Sequence, residues 1–173
     1  MPERPSLLRS GLVAAWSLVV AAVVWLRISP LYEGWLVAGG NAILPGDLRL
    51  EGIGASIMVR QLGVGQPYLH AIDTLVLHSG IVAVLALVAA TPARSWRWRV
   101  VAVLAVIGGL FALQVAAVAA FALALQSAAG GGLLAGDVFI GFAIFWALTP
   151  LVVGGAWAYR FWLGSFRPVE AGG

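Results

Sequence analysis

Four residues within nine positions, His70, Asp73, Thr74 and His78, are the ones in this chain whose types could do chemistry together. An imidazole beside a carboxylate can relay a proton, and a pair of imidazoles can ligate a metal or a haem. On a helix, at about 100° per residue, the four fall within an arc of about 140°, so one polar face would look into a bundle or toward outside water. The same pattern equally describes a hydrated helix entrance, with Asp73 at the positive end of the helix dipole and His78 bonded to a neighbour. That structural reading is the default for His-x-x-Asp without further ligands. His70, Asp73 and His78 are therefore the catalytic candidates, with Arg60 or Asp137 as partners from neighbouring segments, and no residue is assigned to a cofactor or a metal.

Other chemistries find no support in the sequence. The chain has no cysteine, which excludes disulfides, thiolate ligands and thiol nucleophiles together. It contains no Walker sequence, no Gly-x-Gly-x-x-Gly after a strand, no Gly-x-Ser-x-Gly and no His-Glu-x-x-His. Gln114, deep in an apolar run and following Gly108-Gly109, reads as an amide bonding across a seam of small residues.

The elements that must position these residues are membrane helices. Of 173 residues 62% are hydrophobic and 10% charged, with a mean hydropathy of +1.00. Seven acids and ten bases are too few to coat a soluble domain that buries roughly 70% of its unfolded surface. Apolar runs at 12–28, 72–90, 100–126 and 138–159 are each near or above the ~20 residues that cross a bilayer. A single all-α membrane domain, a four-transmembrane-helix bundle, is the expectation. The first run is too long for the core of a secretory signal and reads as a retained span. Pro150 should kink the last one.

All ten basic residues are arginine. With both termini in the cytoplasm, Arg4, Arg9, Arg94, Arg97, Arg99, Arg160 and Arg167 lie inside, and only Arg27, Arg49 and Arg60 outside. That satisfies the positive-inside rule, places 91–99 in the cytoplasm and accounts for the net charge of +3 without nucleic acid. Trp25, Trp35, Trp96, Trp98, Trp157 and Trp162 fall at span ends, as interfacial anchors do. The expected setting is the cytoplasmic membrane of a bacterium or archaeon, with the lipid bilayer and other membrane proteins as partners.

The extracytoplasmic segment 29–71 is too apolar for a plain linker. Residues 31–44 predict an interfacial or re-entrant helix, stopped by Pro45-Gly46. Residues 47–62 alternate at Leu48, Leu50, Ile53, Ile57 and Val59 and predict a short β-hairpin turning at Gly52 or Gly54.

Several stretches together resemble the short forms of the exosortase/archaeosortase family, polytopic proteases and transpeptidases acting on sorting tags of exported proteins. They are Ile28-Ser-Pro-Leu-Tyr, Gly46-Asp-Leu-Arg-Leu-Glu-Gly, Val84-Leu-Ala-Leu-Val-Ala-Ala-Thr-Pro92, Trp98-Arg-Val-Val and Gly109-Leu-Phe-Ala-Leu-Gln114. The family's cysteine, arginine and histidine have no counterparts. No cysteine exists, Gln114-Val-Ala-Ala117 stands where Asn-x-x-Arg belongs, and the last helix opens with Asp137. The resemblance thus implies a degenerate, non-peptidase relative. The expected function is a non-catalytic subunit or scaffold of a membrane assembly, or an inactive exosortase-like protein, in envelope or export processes. The alternatives are a membrane enzyme or redox subunit using the outer His/Asp cluster, and a small transporter component.

Overall fold

The computed structural model describes residues 7–63, 68–78, 80–92, 94–129 and 135–163. In chain order these form α1 (Leu7–Ile43), β1 (Leu48–Ile53), β2 (Ser56–Gln61), β3 (Tyr68–Asp73), α2 (Thr74–His78), α3 (Ile81–Ala89), α4 (Trp96–Ala129) and α5 (Ala135–Trp157), with a π-helical turn, Ala158–Leu163, closing the last helix. Three helices, α1, α4 and α5 with its extension, are long and apolar enough to cross a membrane. A small antiparallel sheet in the order β1-β2-β3 accompanies them.

The first helix does not end near residue 28. It runs through Pro30 as a single element of 37 residues, about 55 Å at ~1.5 Å per residue. The separate interfacial helix expected over 31–44 is instead the last third of α1. A proline inside a helix costs about 3 kcal/mol, and packing offsets that here. Trp25, Tyr32 and Leu36, one face of the helix on either side of Pro30, are all buried. Gly40 lets α1 press so closely on β1 that an added Cβ would overlap the Leu50 side chain. Gly39 likewise lies against Val115 of α4, whereas Gly34 meets nothing within 4 Å.

The predicted hairpin forms as β1 and β2, with a third strand added. Leu48 faces Gln61, Leu50 faces Val59 and Ile53 faces Ser56 across the turn, where Gly54 takes φ +59° as a two-residue hairpin requires. Leu48, Leu50, Ile57 and Val59 are buried on one face, whereas Ile53, beside the turn, is exposed. This face packs with Leu36, Ile72, Val118, Phe121, Leu125 and Trp146 into one core. Sheet and helix ends are thus one apolar unit. A second cluster, centred on Trp25, Tyr32, Ile81, Leu85 and Leu110, holds α1, α3 and α4 together further along the bundle.

Asn41 seals the edge of the sheet. Its Nδ2 donates to the Leu50 carbonyl at 3.0 Å, and its Oδ1 accepts from the Leu50 N–H at 2.8 Å, so the amide stands in for a neighbouring strand. Asn41→Ala is expected to destabilise the protein by about 1–3 kcal/mol, because both groups of Leu50 lose their partner. Thermal unfolding in detergent micelles reads this, and an unchanged midpoint would mean that water replaces the amide.

The run expected to form a second span, 72–90, is not one helix. Residues 72 and 73 complete β3, α2 lasts five residues, and Gly80, at φ +80°, separates it from the nine residues of α3. Backbone pairing of Tyr68–Asp73 with β2 holds the start of the run extended, and the left-handed glycine breaks the helix that follows.

The tryptophans near the helix ends are not all free anchors. Trp157 Nε1 donates to Thr91 Oγ1 at 2.9 Å and Trp162 Nε1 to the Leu87 carbonyl at 3.3 Å, tying the end of α3 to the end of α5. Trp25 is buried, whereas Trp35 and Trp96 are exposed. Arg94 lies over the Trp98 ring at 5.0 Å.

Candidate functional site

The helix break between α2 and α3 organises the polar residues of the bundle. A helix that stops inside an apolar environment leaves its last carbonyls without partners. The Leu77 carbonyl at this stop accepts two hydrogen bonds, from Gln114 Nε2 of α4 at 2.7 Å and from Trp146 Nε1 of α5 at 2.6 Å. Gln114 Oε1 in turn accepts from the Tyr32 hydroxyl of α1 at 2.6 Å. Three helices meet on one backbone carbonyl, and α1 joins them through Gln114. Gln114 and Trp146 are 0% and 1% exposed, so each bond stands in a medium where an unpaired group would cost at least a few kcal/mol. The amide of Gln114 does bond across helices, as its position suggested. The adjacent Gly108 and Gly109 form no seam, since a Cβ on either would meet nothing within 4 Å.

His78, the last residue of α2, lies beside this network. Its Nδ1 stands 3.7 Å from Glu33 Oε1 of α1, and both side chains are largely withdrawn from solvent. The imidazole packs edge-on against Trp25, with centroids 5.2 Å apart, and against Tyr32 at 5.8 Å. Its Nε2 is buried with no hydrogen-bond partner among the described residues. At 3.7 Å the His78 and Glu33 atoms are too far apart for a direct hydrogen bond. They are near enough to attract when the imidazole is protonated. At the start of α2 the Thr74 hydroxyl donates to the Ala55 carbonyl at 2.9 Å, joining this helix to the hairpin turn. A cleft of about 260 Å³ between α1 and the hairpin, lined by Pro30, Glu33, Gly34 and Gly52, gives access to the carboxylate. The arrangement sets a carboxylate across from an imidazole, the pair of groups that proton transfer uses.

The structure brings together only part of the sequence-predicted cluster. The single helical face through His70, Asp73 and His78 does not form, because His70 and Asp73 stand on β3, opposite Val59 and Ser56. Asp73 is exposed, and the side chain of His70 lies outside the described residues. Arg60 is paired with Glu51 at 2.9 Å on the hairpin, and Asp137 is exposed in the first turn of α5. Among the described residues no group of three His, Cys, Asp or Glu side chains is arranged to hold a metal ion.

Sequence reasoning missed Glu33, Tyr32 and Trp25. Their signal was present: Trp25, Tyr32 and Leu36 recur at helical spacing, and Glu33 is the one acid in the apolar stretch 12–44. Ending the first run at residue 28 hid both. Comparison of the chain with known protein families, with curated proteins and with solved structures finds no match.

Proposed function

We propose that this protein is a non-catalytic subunit or scaffold of a membrane assembly, or an inactive exosortase-like protein, acting in envelope or export processes. The observation that carries this reading is the single core joining the sheet to the ends of α1, α4 and α5. It makes a rigid platform continuous with the bundle, while Tyr32, Gln114 and Trp146 are committed to holding a broken helix. In this reading α2 and α3 together make the fourth crossing between α1 and α4. The arginine distribution then sets both termini in the cytoplasm and the sheet outside a bacterial or archaeal cytoplasmic membrane. The partners are other membrane proteins that dock on the outer platform.

Native mass measurement after mild-detergent extraction tests it. The expected result is a particle heavier than one chain, containing a second protein. A strictly monomeric particle with nothing co-purifying overturns it.

The Glu33–His78 pair favours a second reading, a membrane enzyme or redox subunit working at the cleft beside the hairpin. His78→Ala separates the two. Under the scaffold reading the variant folds and still assembles with its partner. Lost activity with unchanged folding and assembly selects the enzyme reading.

A further inference from the structure

We infer that the groove between α1, α3 and α4 is a binding site for an anionic phospholipid, one acyl chain lying in the groove and the phosphate at Arg99. The groove encloses about 340 Å³, with α1 and α4 as walls and Leu85 and Ala89 of α3 at its floor. It exists because α3 is only nine residues long and ends in small side chains, Ala89 and Ala90, where its neighbours continue. Val20, Val24 and Leu104 on the walls are exposed, so the groove opens sideways into the lipid.

Its lining is mostly apolar, with Ser17, Trp25 and Tyr32 among it, and it carries one charge. Arg99 lines the groove near the start of α4, is half-buried, and has its Nε buried without a hydrogen-bond partner among the described residues. A guanidinium facing an apolar groove with an unsatisfied donor is costly until an anion meets it. The groove and the cation together therefore call for a ligand that is alkyl along its length and anionic at one end. A lipid phosphodiester has that form, and its oxygens suit the guanidinium fork.

Charge separates the lipid from the other obvious occupant. From Arg99 to Ile107 the groove follows α4 for about 12 Å. An apolar transmembrane helix of a partner or of a second copy would leave the Arg99 guanidinium facing apolar side chains, whereas a lipid carries a phosphate to it. The site goes beyond the scaffold reading and does not depend on it. Only the leaflet, the inner one, follows from the orientation proposed above.

The test is competitive binding of dioleoyl phosphatidylglycerol and dioleoyl phosphatidylcholine to delipidated protein in detergent micelles, followed by native mass spectrometry. The chains are identical, so a difference reports the headgroup. Phosphatidylglycerol is expected to be retained about tenfold better, the scale of one charge-assisted hydrogen bond. Arg99→Gln should abolish that preference while leaving weak binding of both lipids. Arg97→Gln, which removes a neighbouring exposed charge outside the groove, should leave it intact. Ala89→Trp, which fills the floor, should reduce binding of both lipids. Equal retention of the two lipids by the unmodified protein overturns the proposal. So does an equal effect of Arg97→Gln and Arg99→Gln, or a dimer or bound protein partner that excludes lipid from the groove. Failure of any of these leaves the scaffold reading standing, since assembly is measured separately by mass.

Discussion

Gly80→Ala should unfold this protein more readily than any other single methyl addition, lowering stability by about 3 kcal/mol or more. Two independent effects add. Gly80 takes φ +80°, a conformation that costs a residue with a Cβ roughly 1–2 kcal/mol. The new Cβ would also lie 2.6 Å from Pro150 Cγ and closer still to Pro150 Cβ, where neither a ring nor a helix backbone yields cheaply. Gly80 and Pro150 are thus one fitted joint, the proline of α5 occupying the notch that the glycine leaves between α2 and α3. Gly108→Ala is the matching control, because a Cβ there meets nothing within 4 Å inside a regular helix. It should be neutral or stabilising by up to about 1 kcal/mol. Thermal unfolding of both variants in the same micelles decides it, and similar midpoints would show that the break does not need its glycine.

The second large effect is expected at Trp146. Trp146→Ala removes the largest fully buried side chain, whose ring belongs to the core joining the sheet to the helices; about 3–5 kcal/mol should be lost. Trp146→Phe keeps most of the packing and deletes the N–H, at about 1 kcal/mol, because Gln114 still serves the Leu77 carbonyl. Gln114→Leu alone leaves Trp146 on that carbonyl and frees the Tyr32 hydroxyl. Combining Trp146→Phe with Gln114→Leu orphans the carbonyl altogether, so the double variant should fall below the sum of the two by about 1 kcal/mol or more. Strict additivity would mean that the two donors act independently and that the break is not held by their shared acceptor.

Both effects concern the stretch where sequence reasoning went furthest astray. Residues 72–90 have the hydropathy of a span, and hydropathy counts side chains without registering where backbone bonds go. The strand pairing of residues 72 and 73 with Ile57 and Ser56 and the left-handed turn at Gly80 are decided by neighbours distant in the chain. The same holds for Pro30. A local rule ends the helix there, but burial of Tyr32 and Leu36 beyond it outweighs the lost bond. Small residues misled in the other direction. Gly108 and Gly109 looked like a packing seam and meet nothing, whereas Gly40 and Gly80 are where the chain approaches itself.

The candidate site follows the same division. His78 and Gln114 were identifiable as polar groups in apolar runs, because such groups need a partner whatever the fold. Their partners, Glu33 for one and Tyr32 with the Leu77 carbonyl for the other, come from helices separated from them by tens of residues. No spacing rule connects positions 33 and 78 or 77 and 146.

By itself, then, the sequence determined what depends on local composition and short periods: long apolar helices suited to a bilayer, a hairpin between them, and the exclusion of thiol chemistry. Only the tertiary structure decided where the helices break, which carboxylate faces His78 and which glycines are contacts. The reason is physical. Transfer to lipid and strand alternation are properties of a segment, whereas a hydrogen bond to a broken helix, or a proline seated against a glycine, is a property of two segments that the chain must first bring together.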